Sequence, residues 1–250
     1  AYVAPDGRPA AYSPKNVPYK PKHWLRISEK GLAPGDFAMI AGYPGGTSRY
    51  ALAGEFANTA TRSYPAWVAH YRDLIALIDA AGAKSEDVKI RYASTIRSYQ
   101  NTMKNWQGQV DGFAAMGAMQ RKLDEEKSVL DWLHAQGGAG APALEAHEHL
   151  VALQQRREAT QARDRVLGAL GGLFGHARSL YRLAIEREKP DAERERGYQQ
   201  RDLYTFEGNL RQFEKRFEPG MDRAILEYWL AQYVALPADQ HLAALDAWVR

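Results

Sequence analysis

Four residues near the middle of the chain have the types and spacing of a binding face: Asn101, Lys104, Asn105 and Gly108. The two carboxamides can each accept and donate hydrogen bonds, and the amine donates three. At ~100° per residue the four positions fall within a ~100° arc of one helix. An uncharged Asn with a Lys beside it can hold a ligand by hydrogen bonds. The same face also reads as solvated amides, and spacing alone does not choose between the two.

The element that must position this face is legible from its other side. Tyr92, Ile96, Tyr99, Met103, Trp106, Val110 and Phe113 alternate steps of four and three. That is the stripe of a helix with one buried face. Asn101 points ~160–200° away from Met103 on it.

Other constellations offer less. His147 and His149 flank Glu148, but positions two apart on a helix diverge by ~200°, so both imidazoles cannot reach one ion. No metal site and no cofactor are expected. No Ser sits in a Gly-x-Ser-x-Gly turn. His23, His70, His134, His176 and His241 read as isolated, so no complete triad and no catalytic residue are expected. Asp124, Glu125 and Glu126, between Lys122 and Lys127, read as a solvated face with weak ion pairs, and so does Asp191-x-Glu193-Arg194-Glu195-Arg196. Gly168, Gly171, Gly172 and Gly175 lack the Gly-Lys-Ser/Thr end of a phosphate loop, so a close helix crossing or a kink is expected there.

Composition bounds the class. With 250 residues and 45% hydrophobic content the chain can bury a sizeable core. Its 33 basic and 30 acidic residues leave a net charge of +3, too even to suggest nucleic acid or an anionic membrane as partner. The absence of cysteine excludes disulfides and thiol catalysis. The run from Phe37 to Ala41 is only five residues, far short of a membrane span. The chain opens at Ala1 without an initiator Met or a signal pattern, and reads as a piece of a longer protein.

Two regions follow. Residues 1–55 hold seven of the twelve prolines and the turn signals Pro5-Asp6-Gly7, Pro34-Gly35-Asp36 and Tyr43-Pro44-Gly45-Gly46. Strand-like runs lie between them, Trp24 to Ile27 and Phe37 to Ala41. Residues 56–250 read as helical. One helix around Val68, Tyr71, Leu74, Ile75 and Ile78 stops at Gly82. Ser85 opens a long helix to about His134, and Gln136 to Pro142 forms a turn. A second long helix from Ala143 to Arg187 packs antiparallel on the first. Shorter helices are expected near 193–217, 220–235 and 238–249. The fold class is therefore mainly α, with long antiparallel helices after a short β segment.

Three segments in order carry a resemblance over essentially the whole chain. They are Gly35-Asp36-Phe37-Ala38-Met39-Ile40-Ala41-Gly42-Tyr43-Pro44-Gly45, running on through Thr47, Arg49 and Tyr50; Asn101-x-x-Lys104-Asn105-Trp106-x-Gly108; and Lys189-Pro190-Asp191-Ala192-Glu193-Arg194-Glu195-Arg196-Gly197-Tyr198-Gln199-x-Arg201-Asp202. Together they resemble bacterial dipeptidyl peptidases of the dipeptidyl aminopeptidase BII type, whose chymotrypsin-like double β-barrel carries an inserted helical domain. The resemblance implies a serine exopeptidase that releases dipeptides from the free N-terminus of peptides. It implies that residues 1–55 are strands of the barrels, that the helices form a lid, and that the Ser, His and Asp of the triad lie outside this chain. By that resemblance Asn101 holds the substrate's α-amino group. Lys104 and Asn105 would support it, Lys104 by pairing with a carboxylate or by orienting Asn101. The implied partners are peptides, the remainder of the barrels and a second copy in a homodimer, in the periplasm or outside the cell. A non-enzymatic helical scaffold or interaction domain is the alternative, with a peptidase-like protein that has lost catalysis as a third reading.

Overall fold

The computed structural model describes residues 2–39, 41–42 and 50–249. The chain divides into two units, residues 1–47 and 48–250. The expected turn at Tyr43 to Gly46, and the motif positions Ile40, Thr47 and Arg49, lie outside the described residues.

In the first unit two short antiparallel strands, β1 (Tyr2–Val3) and β2 (Val17–Pro18), pair Tyr2 with Pro18 and Val3 with Val17. The strand-like runs Trp24 to Ile27 and Phe37 to Met39 are not strands. They have no regular secondary structure, and their side chains are exposed. A run of β-prone residues becomes a strand only when a neighbour takes up its backbone groups, and among the described residues neither run has one.

The second unit is helical. Its first helix begins well before Pro65. α1 (Ala53–Asn58) passes through a π-helical turn (Thr59–Ser63) into α2 (Tyr64–Gly82). Ser85 then caps α3 (Glu86–Ala115), accepting from the Val88 amide at 3.3 Å, with Glu86 and Asp87 in the first turn. Acidic groups there complement the helix dipole.

Both long helices predicted from the sequence are broken. The first stops at Met116, because Gly117 takes a left-handed φ of 58°, and α4 (Ala118–Ala135) restarts beyond it. The second is cut into α5 (Ala141–Ala169) and α6 (Gly172–Glu186). At that break Gly172 has φ +57°, and a Cβ there would lie 1.9 Å from Asp222 Oδ1. Asp222 accepts instead from the Leu173 amide at 3.2 Å and so caps α6. The glycine-rich segment is thus a kink closed by a carboxylate. The glycine cluster marks the second break in the sequence, whereas the lone Gly117, beyond the end of the stripe, gives no such signal.

α4 and α5 form an antiparallel hairpin around Gln136 to Gly140. The main partner of α3 is α2, not the second long helix. The stretch 193–217 holds one helix, α7 (Leu203–Arg216), after two 3₁₀ turns. α8 (Pro219–Val234) and α9 (Ala243–Val249) follow. The core gathers Leu74, Val166, Leu170, Trp229 and Tyr233, with a second cluster of Ile78, Val88 and Met221. Each such side chain contributes ~1.5–3 kcal/mol by leaving water.

Candidate α-amine-binding face

The apolar stripe of α3 is held by an aromatic ladder. Phe113 meets Phe56 at 4.7 Å between ring centroids. Trp106 stacks on Tyr64 at 5.3 Å and on Tyr71 at 5.6 Å, and touches Trp67 at 5.9 Å. Tyr99 meets Tyr71 at 4.8 Å. Aromatic pairs contribute about 0.5–1.5 kcal/mol each beyond area burial, so the rotational setting of α3 is well determined.

The opposite face is open. Asn101, Lys104, Asn105 and Gly108 are all exposed. Asn101 makes no side-chain hydrogen bond to another described residue. Asn105 accepts from Gln109 Nε2 at 2.6 Å, which leaves its NH₂ pointing outward. Gly108 has nothing within 4 Å of where a Cβ would be. The expected pairing of Lys104 is absent: among the described residues it meets no carboxylate, nor does it bond Asn101. The sequence supplies the reason. One turn away on either side lie Gln100, Asn101, Gln107 and Gly108, none of them acidic. Asp111, further along the helix, is engaged by Gln107 at 2.8 Å.

Two histidines read as isolated are linked to carboxylates, His70 through Tyr228 and His241 directly. His70 Nδ1 lies 2.8 Å from Tyr228 Oη, which donates to Asp73 at 3.1 Å. Burial lowers the pKa of His70, Arg165 adds to that, and Asp73 opposes it. His241 lies between Asp246 at 3.0 Å and the Leu236 carbonyl at 3.1 Å. Among the described residues no Ser hydroxyl bonds either ring, so neither is a nucleophile–base pair.

The acidic clusters are exposed as expected at Asp124, Glu125, Asp191, Glu193 and Glu195, but some of their carboxylates also tie elements together. Glu126 accepts from the Ala53 amide and faces His147 Nε2 at 2.8 Å, tying α1, α4 and α5 together. Burial pushes its carboxyl up, but the Ala53 amide and His147 outweigh this and hold it below the usual range. Glu186 is buried, 1% exposed, and takes the Lys189 ammonium at 2.7 Å and the Glu195 amide at 2.8 Å. Asp191 accepts from the Gln200 amide and Arg194, and Asp202 from the Gly197 amide. The late motif is therefore a loop closed by its own carboxylates. Among the described residues no group of His, Asp and Glu is placed to hold a metal, and no helix is long and apolar enough to cross a membrane.

The amide face is exposed and no catalytic constellation lies among the described residues, so likeness to known proteins decides the family. Residues 1–250 match the family described as Peptidase S46. The chain belongs to the peptidase S46 family. An Asp/Glu-specific dipeptidyl-peptidase of Shewanella putrefaciens is 38% identical over 247 residues, which are 98% of this chain and 33% of that protein. Dipeptidyl-peptidase 7 of Capnocytophaga gingivalis is 37% identical over 131 residues, 52% of this chain and 18% of its own. Among solved structures, Porphyromonas endodontalis DPP11 in complex with the dipeptide Arg-Glu superposes with a TM-score of 0.64 at 25% identity. That match covers 96% of this chain and 34% of DPP11. This S46 chain thus spans about a third of the Shewanella relative's length.

Proposed function

We propose that this chain is the helical part of a serine-type dipeptidyl peptidase, and that Asn101 anchors the substrate's α-amino group. The reading draws on family membership over residues 1–250 and on a relative whose name specifies dipeptide release after acidic residues. The segment before α1 belongs to strands of a chymotrypsin-like double barrel, and the helices from α1 onward form the lid. The triad comes from sequence beyond these residues. Location in the periplasm or outside the cell is part of the same proposal.

The observation that carries the assignment is the state of Asn101: exposed, without a side-chain partner among the described residues, on a helix locked from behind by aromatic rings. A carboxamide oxygen accepts from an ammonium without fixing a countercharge. The face holds no carboxylate, and Lys104 would repel a cation lying against it, so a neighbouring group outside the face must balance the ammonium. Asn105 already uses its oxygen toward Gln109 while its NH₂ is unengaged by any described residue, which suits a peptide carbonyl better than an amine.

The experiment is kinetic. A hydrogen bond to a charged group contributes about 1.5–3 kcal/mol, so Asn101→Ala in the full-length enzyme should lower kcat/KM on free-amine substrates about ten- to hundredfold. Unchanged kcat/KM removes the assignment. In the same assay the 250-residue chain alone should release no dipeptide, and turnover abolished by a serine-directed inhibitor would show that a triad lies within it.

A further inference from the structure

We propose that Trp106 is a positioning residue for the amine anchor, setting the angle at which α3 presents Asn101. This rests on the anchor reading and extends it to a residue that touches no substrate. Trp106 is five positions beyond Asn101, so it points ~140° away from it, into α2. There it meets three rings of one helix: Tyr64 and Tyr71, with interplanar angles of 13° and 28°, and Trp67 at 46°. No other ring of α3 has more than one aromatic partner among the described residues. Tyr99 and Phe113, seven residues to either side, each make a single such contact, with Tyr71 and Phe56.

Two stacked faces resist the motion that matters most for the opposite side of the helix. With side-chain tips ~5–6 Å from the axis, a rotation of ~10° displaces Asn101 by ~1 Å. A misplacement of that size at a substrate-holding group can cost up to ~100-fold in rate. The polar face has no support of its own: Asn101 makes no side-chain hydrogen bond to a described residue, and Lys104 has no ion pair with one. Its angle is therefore set from behind.

A double-mutant cycle on the full-length enzyme tests this, with a chromogenic dipeptide substrate bearing a free α-amine. Trp106→Leu should lower kcat/KM about tenfold, mainly through KM, because an amine contact is made in both ground and transition states. Trp106→Phe, which keeps a ring on Tyr64, should recover most of the loss. The deciding measurement is the double variant. If Trp106 acts through Asn101, adding Trp106→Leu to Asn101→Ala costs less than twofold more. Losses that multiply make Trp106 merely structural and overturn the inference while leaving the anchor intact. An Asn101→Ala enzyme of full activity removes the anchor itself and this inference with it. If Trp106→Leu does not fold, as judged by far-UV circular dichroism, the same cycle run with Tyr64→Leu, which removes the ring stacked on Trp106, decides by the same criterion.

Discussion

At the scale of single residues, a tightly held group lies outside the proposed amine-binding face. Glu186 is buried, and its carboxylate is satisfied by Lys189 and the Glu195 amide, with Arg182 Nε at 3.6 Å. The Lys189 hydrogen bond, then the Glu195 amide, hold its pKa below the usual carboxylate value of 4.5 against the opposing effect of burial. A carboxyl depressed in the folded state stabilises the fold above its unfolded value, and that contribution disappears as pH falls through the folded value. Urea unfolding midpoints should therefore drop below about pH 4.5, and more steeply for the wild type than for Glu186→Gln. Parallel pH profiles for the two proteins would refute this role. Glu186 also shows where sequence reading stops. The run after it looked like a solvated charge cluster, because the partners that bury the carboxylate include a backbone amide nine residues away. Asn101 was legible for the opposite reason: its environment is a helix phase, and helix phase is written in the apolar residues opposite.

At the scale of elements, the π-helical turn explains how α1 and α2 present one continuous face. On α3 the ladder residues Phe113, Trp106 and Tyr99 are seven apart. Their partners Tyr71 and Tyr64 are also seven apart, but Tyr64 and Phe56 are eight. In an unbroken α-helix eight residues overshoot two turns by ~80°, which would swing Phe56 off the face. The i→i+5 bonding of the turn Thr59–Ser63 absorbs the additional residue. Deleting Thr61 should thus convert the turn to α-helix, keep every rung and shift the melting temperature only slightly. Deleting Ala69, between the rungs at Tyr64 and Tyr71, should rotate one against the other by ~100° and cost several kcal/mol, since loss of a single packed aromatic costs ~3–5 kcal/mol. Thermal unfolding followed by circular dichroism distinguishes the two; equal destabilisation refutes the register argument. The break at Gly172 falls in the glycine cluster where a kink is expected, whereas the break at Gly117 is not legible, because a lone Gly in a helical pattern is tolerated. The one at Gly172 is fixed by Asp222, fifty residues away, a contact no local pattern encodes.

At the scale of the whole molecule, the two units differ in how they treat apolar surface. The helical unit buries Leu74, Ile78 and Tyr233 almost completely. The first unit has no buried residue among those described, and leaves Trp24 73%, Leu25 94%, Ile27 93% and Phe37 88% exposed. Isolated apolar residues on a surface need no explanation, but a β-prone segment with all its large side chains exposed and its backbone unpaired does. Burial of those four side chains offers ~1.5–3 kcal/mol apiece, and the relatives are about three times as long as this chain, so sequence exists elsewhere in them to supply the cover. If the double-barrel reading is right, the segments around Trp24 and Phe37 become strands only in that larger assembly. Hydrogen exchange measured by mass spectrometry should show residues 20–39 exchanging within seconds in the 250-residue chain and strongly protected in the full-length protein. α2 and α3 should be protected in both, since their aromatic ladder is complete within the helical unit. Slow exchange at residues 20–39 in the short chain would mean that these segments find partners within it. The barrel assignment would then lose its physical basis, whereas the proposed amine anchor at Asn101, which depends only on α3 and the rings behind it, would not be affected.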